Sequence, residues 1–230
     1  MQKLLLLHGA LGAASQYAKL IDALKNHFEI YAFDFSGHGG MPFAKEFSIE
    51  RFTEETLAFL NENRIDQTNI FGYSMGGYVA LNFALNFPNR VGKIMTLATK
   101  FDWTPESTAR ETKMLDPAKM EEKIPAFAAM LRERHAPNDW AILLRKTADM
   151  MLDLSHQNLL NEDALQQIHH LALICLGVSD QMVSRTETER TAAALPNGKL
   201  HIFEATQHPF EKVNVEMLAG EMISFFSRKH

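Results

Sequence analysis

The chain has 230 residues, 46% of them hydrophobic, and a formal net charge of −5. That length suits one α/β domain with a large buried core. Charges of both signs are interspersed without a basic stripe, which argues against a nucleic-acid face, and no run approaches the ~20 apolar residues of a membrane span.

The first apolar run, KLLLL at 3–7, is interrupted by His8 and Gly9. It is shorter than the ~7–15 apolar residues of a secretory leader and reads as a strand. A helical pattern follows at 15–26, then an apolar run at 29–33, a helix over 49–63, a run at 68–73 and a helix over 76–87. Runs at 93–97, 171–176 and 199–203 complete the strands, with helices at 185–194 and 211–228. The runs are apolar almost throughout, as in strands covered on both faces of a parallel sheet. Strand–helix alternation of this kind predicts an α/β fold: a doubly wound, mainly parallel sheet of about six strands.

One interval breaks the rhythm. Residues 101–170 contain no convincing strand and read as helices near 106–115, 117–124, 126–135 and 139–154. Asp116-Pro117 is an N-cap followed by proline at the first helical position, and Pro125 should end or kink the helix before it. The expected organisation is a core made of 1–100 and 171–230, with 101–170 inserted as an all-helical cap. The single cysteine, Cys175, lies in an apolar run. It cannot form an internal disulfide, which fits a reducing, cytoplasmic setting.

The stretch FGYSMGGYVA places Ser74 between Gly72 and Gly76, where a predicted strand gives way to a predicted helix. To present a hydroxyl from that edge the chain must turn sharply, and side chains two residues either side of the serine would collide. Glycine removes the collision. The pattern is Gly-x-Ser-x-Gly, a nucleophile elbow. The helix that follows aims backbone N–H groups at the place where negative charge develops in acyl transfer.

A serine nucleophile needs an imidazole to take its proton and a carboxylate to orient that imidazole. Of ten histidines, His208 lies in a loop just after the last strand, on the same sheet edge as Ser74. Asp180 follows the preceding strand. Asp102, after the strand at 93–97, is the competitor. Asp180 is preferred because its strand should adjoin the strand that leads to His208. The backbone N–H groups of Ala10 and Met75 are the candidate oxyanion hole, with Leu11 the alternative to Ala10. His8 is expected to be a structural hydrogen-bonding group in the first loop.

Four segments together, LLLLHGALG, DFSGHGG, GYSMGG and the pair GVSDQMV with TQHPFE, resemble the α/β-hydrolase superfamily. The nearest likeness is to small single-domain carboxylesterases and their relatives in cofactor biosynthesis and aromatic ring fission. The resemblance implies Ser74 as nucleophile, His208 as base and Asp180 as acid, with no metal or cofactor. It implies that Asp34 and Gly37 shape a loop, and that the helical block stands where the superfamily carries its lid. Thr206 and Gln207 stand where the family often has a glycine before the histidine.

A dinucleotide fingerprint is the weaker reading of the first loop: HGALGAA is not Gly-x-Gly-x-x-Gly, and that reading leaves GYSMGG unexplained. The same fold could also serve C–C bond hydrolysis, lyase or perhydrolase chemistry, or ligand binding with little turnover. Serine at the elbow excludes the aspartate-nucleophile branch. The helical block is rich in methionine and aromatic residues and has no cluster of basic residues suited to a polyanion. This favours a small-molecule ester or thioester with a small, largely apolar acyl group. Leu11, Met130, Met151 and Met182 are the candidate substrate-binding residues.

Overall fold

The computed structural model describes residues 1–228. Its strands are β1 (Gln2–Leu7), β2 (Phe28–Ala32), β3 (Thr68–Tyr73), β4 (Val91–Leu97), β5 (Ala172–Gly177) and β6 (Gly198–Phe203). They form one sheet in the order β2-β1-β3-β4-β5-β6, and every neighbouring pair is parallel. The predicted six-strand parallel sheet is therefore the one observed.

The helices in chain order are α1 (Ala18–Leu24), α2 (Ile49–Glu62), α3 (Met75–Asn86), α4 (Pro105–Thr112), α5 (Pro117–Lys123), α6 (Pro125–His135), α7 (Trp140–His156), α8 (Glu162–Gln166), α9 (Arg185–Ala194) and α10 (Val215–Ser227). Two predicted helices differ at their starts. The region expected to be helical from 15 opens with a 3₁₀ turn at Ala14–Tyr17, and the one expected from 211 has a 3₁₀ turn at Phe210–Lys212 before α10. Asn214 accounts for the second, because its side chain accepts from the Met217 N–H and caps α10 there. The short helix α8, capped by Asn161, escapes a reading based on apolar periodicity.

Alternation along the buried strands separates two cores. Leu5, Leu7, Ile70, Ile94 and Ile174 pack on one face of the sheet with α2 and α3. Leu4, Leu6, Phe71, Met95, Leu173 and Cys175 pack on the other with α1 and α10. Both faces are covered, so the inner strands β1, β3, β4 and β5 are buried along most of their length. Among the described residues, the segment between β4 and β5 holds helices and connecting loops but no strand, as expected. Pro125 stops α5 at Lys123: Ile124 leaves the helical region (φ −140°, ψ 57°) and α6 begins at the proline. Among the described residues no helix is long and apolar enough to cross a membrane.

Candidate active site

Strand register brings the carboxyl ends together. Leu7 pairs with Gly72, Tyr73 with Leu97, Leu97 with Cys175, and Gly177 with Phe203. The segments holding Ser74, Asp180 and His208 all leave the sheet at this edge, where α/β sheets bind ligands.

Ser74 sits between β3 and α3 with φ 51° and ψ −119°, a strained conformation for a residue with a side chain. Its N–H donates to the Leu97 carbonyl at 2.8 Å, and its own carbonyl accepts from Thr99 Oγ1 at 3.0 Å, so the strain is held from both sides. The flanking glycines are required by close approach. A Cβ on Gly72 would lie 2.3 Å from the Gly76 oxygen, and one on Gly76 would lie 2.1 Å from the Leu7 oxygen.

His208 Nε2 is 3.5 Å from Ser74 Oγ, and His208 Nδ1 is 2.8 Å from Asp180 Oδ2. Donation from Nδ1 to the carboxylate leaves Nε2 free to accept the serine proton. A base–nucleophile spacing of this length is ordinary without substrate and tightens on binding. The Asp180 side chain is 1% exposed. Burial alone would raise its pKa. The hydrogen bond and charge of His208, with the N–H groups of Val183 and Met182 at 2.9 and 2.8 Å, outweigh burial and hold it below the ordinary value.

Close packing of the two loops sets this pairing. The Ser179 N–H donates to the Thr206 carbonyl at 3.0 Å, and a Cβ on Gly177 would stand 2.2 Å from that oxygen. The histidine loop is held further by Tyr73, whose hydroxyl donates to the His208 carbonyl at 2.6 Å. Glu211 ties it to both neighbours, accepting from Arg134 at 2.6 Å and Gln16 at 2.8 Å. Tyr73 and Glu211 lie within GYSMGG and TQHPFE, at positions whose residue type signals no role by itself. The competing acid, Asp102, is paired instead with Arg190 at 3.4 Å on the surface.

Ser74, His208, Ala10 and Met75 line one cavity, and Met151 and Met182 line it too. Neither the Ala10 nor the Met75 N–H donates to a protein acceptor among the described residues. The cavity has a volume of about 50 Å³, room for roughly three to five water-sized groups.

Two expected pocket residues lie elsewhere. Met130 borders a separate groove beside Lys19, Arg134 and Phe210. Helix α6 buries Ala128, Leu131 and His135, and Met130 falls off that stripe. Leu11 (φ 58°) packs against the cluster of Met120, Leu131, Trp140 and Leu144, and its carbonyl accepts from Arg134 at 3.0 Å. Conversely, Lys100, Trp103 and Glu111 enter the cavity wall. No motif singles them out, although Lys100 lies just beyond β4 at the same sheet edge.

His8 is 1% exposed and behaves as a loop-builder: Nδ1 is 2.8 Å from the Gly9 oxygen, and Nε2 accepts from the Phe35 N–H at 3.2 Å. Asp34 accepts from the Ala14 N–H at 2.6 Å.

Residues 3–141 match the family described as "alpha/beta hydrolase fold". The chain belongs to that family. Over 93 residues (39% of the chain) it is 36% identical to a protein named "Probable alcohol acetyltransferase" from Wickerhamomyces anomalus, spanning 27% of that protein. Over 98 residues (42% of the chain) it is 33% identical to a pimeloyl-[acyl-carrier protein] methyl ester esterase from Aeromonas hydrophila, spanning 37% of it. The chain thus matches about a third of the length of these curated relatives. Among solved structures, the enol-lactonase from Burkholderia xenovorans LB400 aligns with a TM-score of 0.76 at 19% identity, covering 99% of this chain and 92% of that one. A likeness at that identity is one of fold.

Proposed function

We propose that this α/β-hydrolase cleaves an ester or thioester of a small acyl group through an acyl-enzyme on Ser74. The observation that carries the reading is the hydrogen-bond relay from the Asp180 carboxylate through His208 to Ser74 Oγ, at 2.8 and 3.5 Å, opening onto a cavity.

His208 Nε2 accepts the Ser74 proton as Oγ attacks the substrate carbonyl, and Asp180 stabilises the imidazolium that forms. The Ala10 and Met75 N–H groups receive the oxyanion. Collapse of the tetrahedral species passes the proton from His208 to the departing alcohol or thiol. Water, deprotonated by the same imidazole, then releases the acid and restores the serine. The narrow cavity favours short acyl chains. Residues 101–170 serve as a lid: Trp103, Glu111, Met150, Met151 and Leu154 from this segment contribute to the cavity wall above the serine. The names of the methyl ester esterase and the acetyltransferase agree with ester and acyl-transfer chemistry.

The test is labelling with a serine-directed phosphonate, read by peptide mass, together with turnover of p-nitrophenyl butanoate. The label should sit on Ser74, and Ser74→Ala should lower kcat by several orders of magnitude at unchanged fold. Labelling elsewhere with Ser74 unmodified would refute the assignment.

A further inference from the structure

The cavity next to Ser74 is not apolar throughout. Lys100, Trp103 and Glu111 form part of its wall. The Lys100 side chain is 11% exposed, and Nζ stands 3.9 Å from Glu111 Oε1 and 4.0 Å from Glu187 Oε2. Both carboxylate side chains are almost wholly buried, at 3% and 4% exposure. The spacings exceed hydrogen-bond length. The lysine also lies 5.8 Å from the centre of the Trp103 ring. Among the described residues, Glu111 Oε2, Glu187 Oε1 and Trp103 Nε1 are buried without a hydrogen-bond partner.

Buried charges left short of contact are costly, and native proteins satisfy nearly all of them. Of the three unpartnered groups, Glu111 and Trp103 stand with Lys100 in the wall of the cavity beside Ser74, so a group bound there can supply a partner that the protein does not. Charge decides which group. A carboxylate would meet two carboxylates, and an ammonium would meet Lys100. A neutral hydroxyl suits both sides: its oxygen accepts from Lys100 Nζ while its hydrogen goes to Glu111 Oε2. Outside the cavity, Arg110 approaches Glu111 Oε1 at 3.3 Å from an exposed position, and Asp102 is taken by Arg190. Neither offers the missing partner.

We propose that Lys100 and Glu111 form a hydroxyl-recognition subsite, so that the substrate is an ester of a short hydroxyacyl group. This rests on the serine-ester reading for its chemistry, though the subsite itself is a matter of binding.

The experiment compares esters in which a hydroxyl replaces a methyl: 3-hydroxybutanoate against 3-methylbutanoate, 3-hydroxypropanoate against butanoate, and 6-hydroxyhexanoate against heptanoate. Methyl esters are titrated calorimetrically into Ser74→Ala protein, and p-nitrophenyl esters are turned over by the wild type. At least one hydroxyl member should bind about ten- to a hundred-fold tighter than its methyl partner, the scale expected when a buried polar group otherwise stays unpaired. Its kcat/KM should rise by a similar factor. Glu111→Gln and Lys100→Met should each bring that ratio towards one. Ratios at or below one for all three pairs in Ser74→Ala protein would overturn the subsite, as would a hydroxyl preference that survives both substitutions in folded protein. Should the two variants fail to fold, the ratios in Ser74→Ala protein decide alone. A hydroxyl preference in binding with no turnover of any ester would retain the subsite and refute the serine-ester reading. Serine-dependent turnover without the preference would do the reverse.

Discussion

Acidification should destabilise this protein at a pH where carboxylates are not yet responsible, because three histidines are buried together behind the first loop. The rings of His8 and His38 are 4.9 Å apart, and those of His38 and His135 are 5.8 Å apart. His38 Nε2 has no partner among the described residues. The charged groups that act on the cluster are Asp34, 3.9 Å from His8, and Arg134. Burial pushes His8 and His135 down to about 4, and it pushes His38 well below its ordinary value. In the unfolded chain each titrates near 6.5. The unfolded state therefore binds more protons between those values. The stability is fully present above about 6.5 and is lost as pH falls towards 4. Linkage with these two values makes each of His8 and His135 cost about 1 kcal/mol between pH 6 and pH 5, or about 2 kcal/mol together. His38 adds to this with the same sign. Glu187, raised by burial, acts in the opposite direction. The loss is a large fraction of a typical stability of ~5–15 kcal/mol. Urea unfolding at pH 7, 6 and 5 measures it. In His135→Gln, where an amide can still donate to the Leu11 carbonyl and accept from the Gly39 N–H, the pH 6 to 5 loss should shrink by about 1 kcal/mol. A stability constant to within about 0.5 kcal/mol between pH 6 and 5 at unchanged m would refute the reasoning.

Two substitution pairs test the site. Asp180→Asn removes the charge that orients His208 and should lower kcat by about 10⁴-fold. Asp102→Asn breaks only a surface pair with Arg190 and should change activity little; the reverse ranking in steady-state kinetics would move the acid. Met151→Phe narrows the cavity and should shift preference towards shorter acyl chains, by at most about 10–200-fold per methylene. Met130→Phe faces the other groove and should leave the profile of kcat/KM across two- to eight-carbon esters unchanged.

What the sequence determines here is whatever depends on neighbours along the chain. Uninterrupted apolar runs mark strands buried on both faces, and Gly72-Tyr73-Ser74-Met75-Gly76 marks a turn so tight that its steric demand is written into five consecutive residues. The adjacency of β5 and β6, on which the choice of Asp180 over Asp102 rests, follows from the habit of successive strands to pair. The tertiary structure alone decides what depends on which way a helix faces and on residues distant in sequence. Met130 and Met151 both lie in apolar helical runs, yet only Met151 reaches the cavity beside Ser74, because α6 turns its buried stripe past Met130. Lys100, Glu111 and Glu187 read in sequence as ordinary solvated charges on three separate elements. Only folding removes them from water and sets the two carboxylates around the Lys100 ammonium, since burial is a property of the packed chain and has no local signature in its residues.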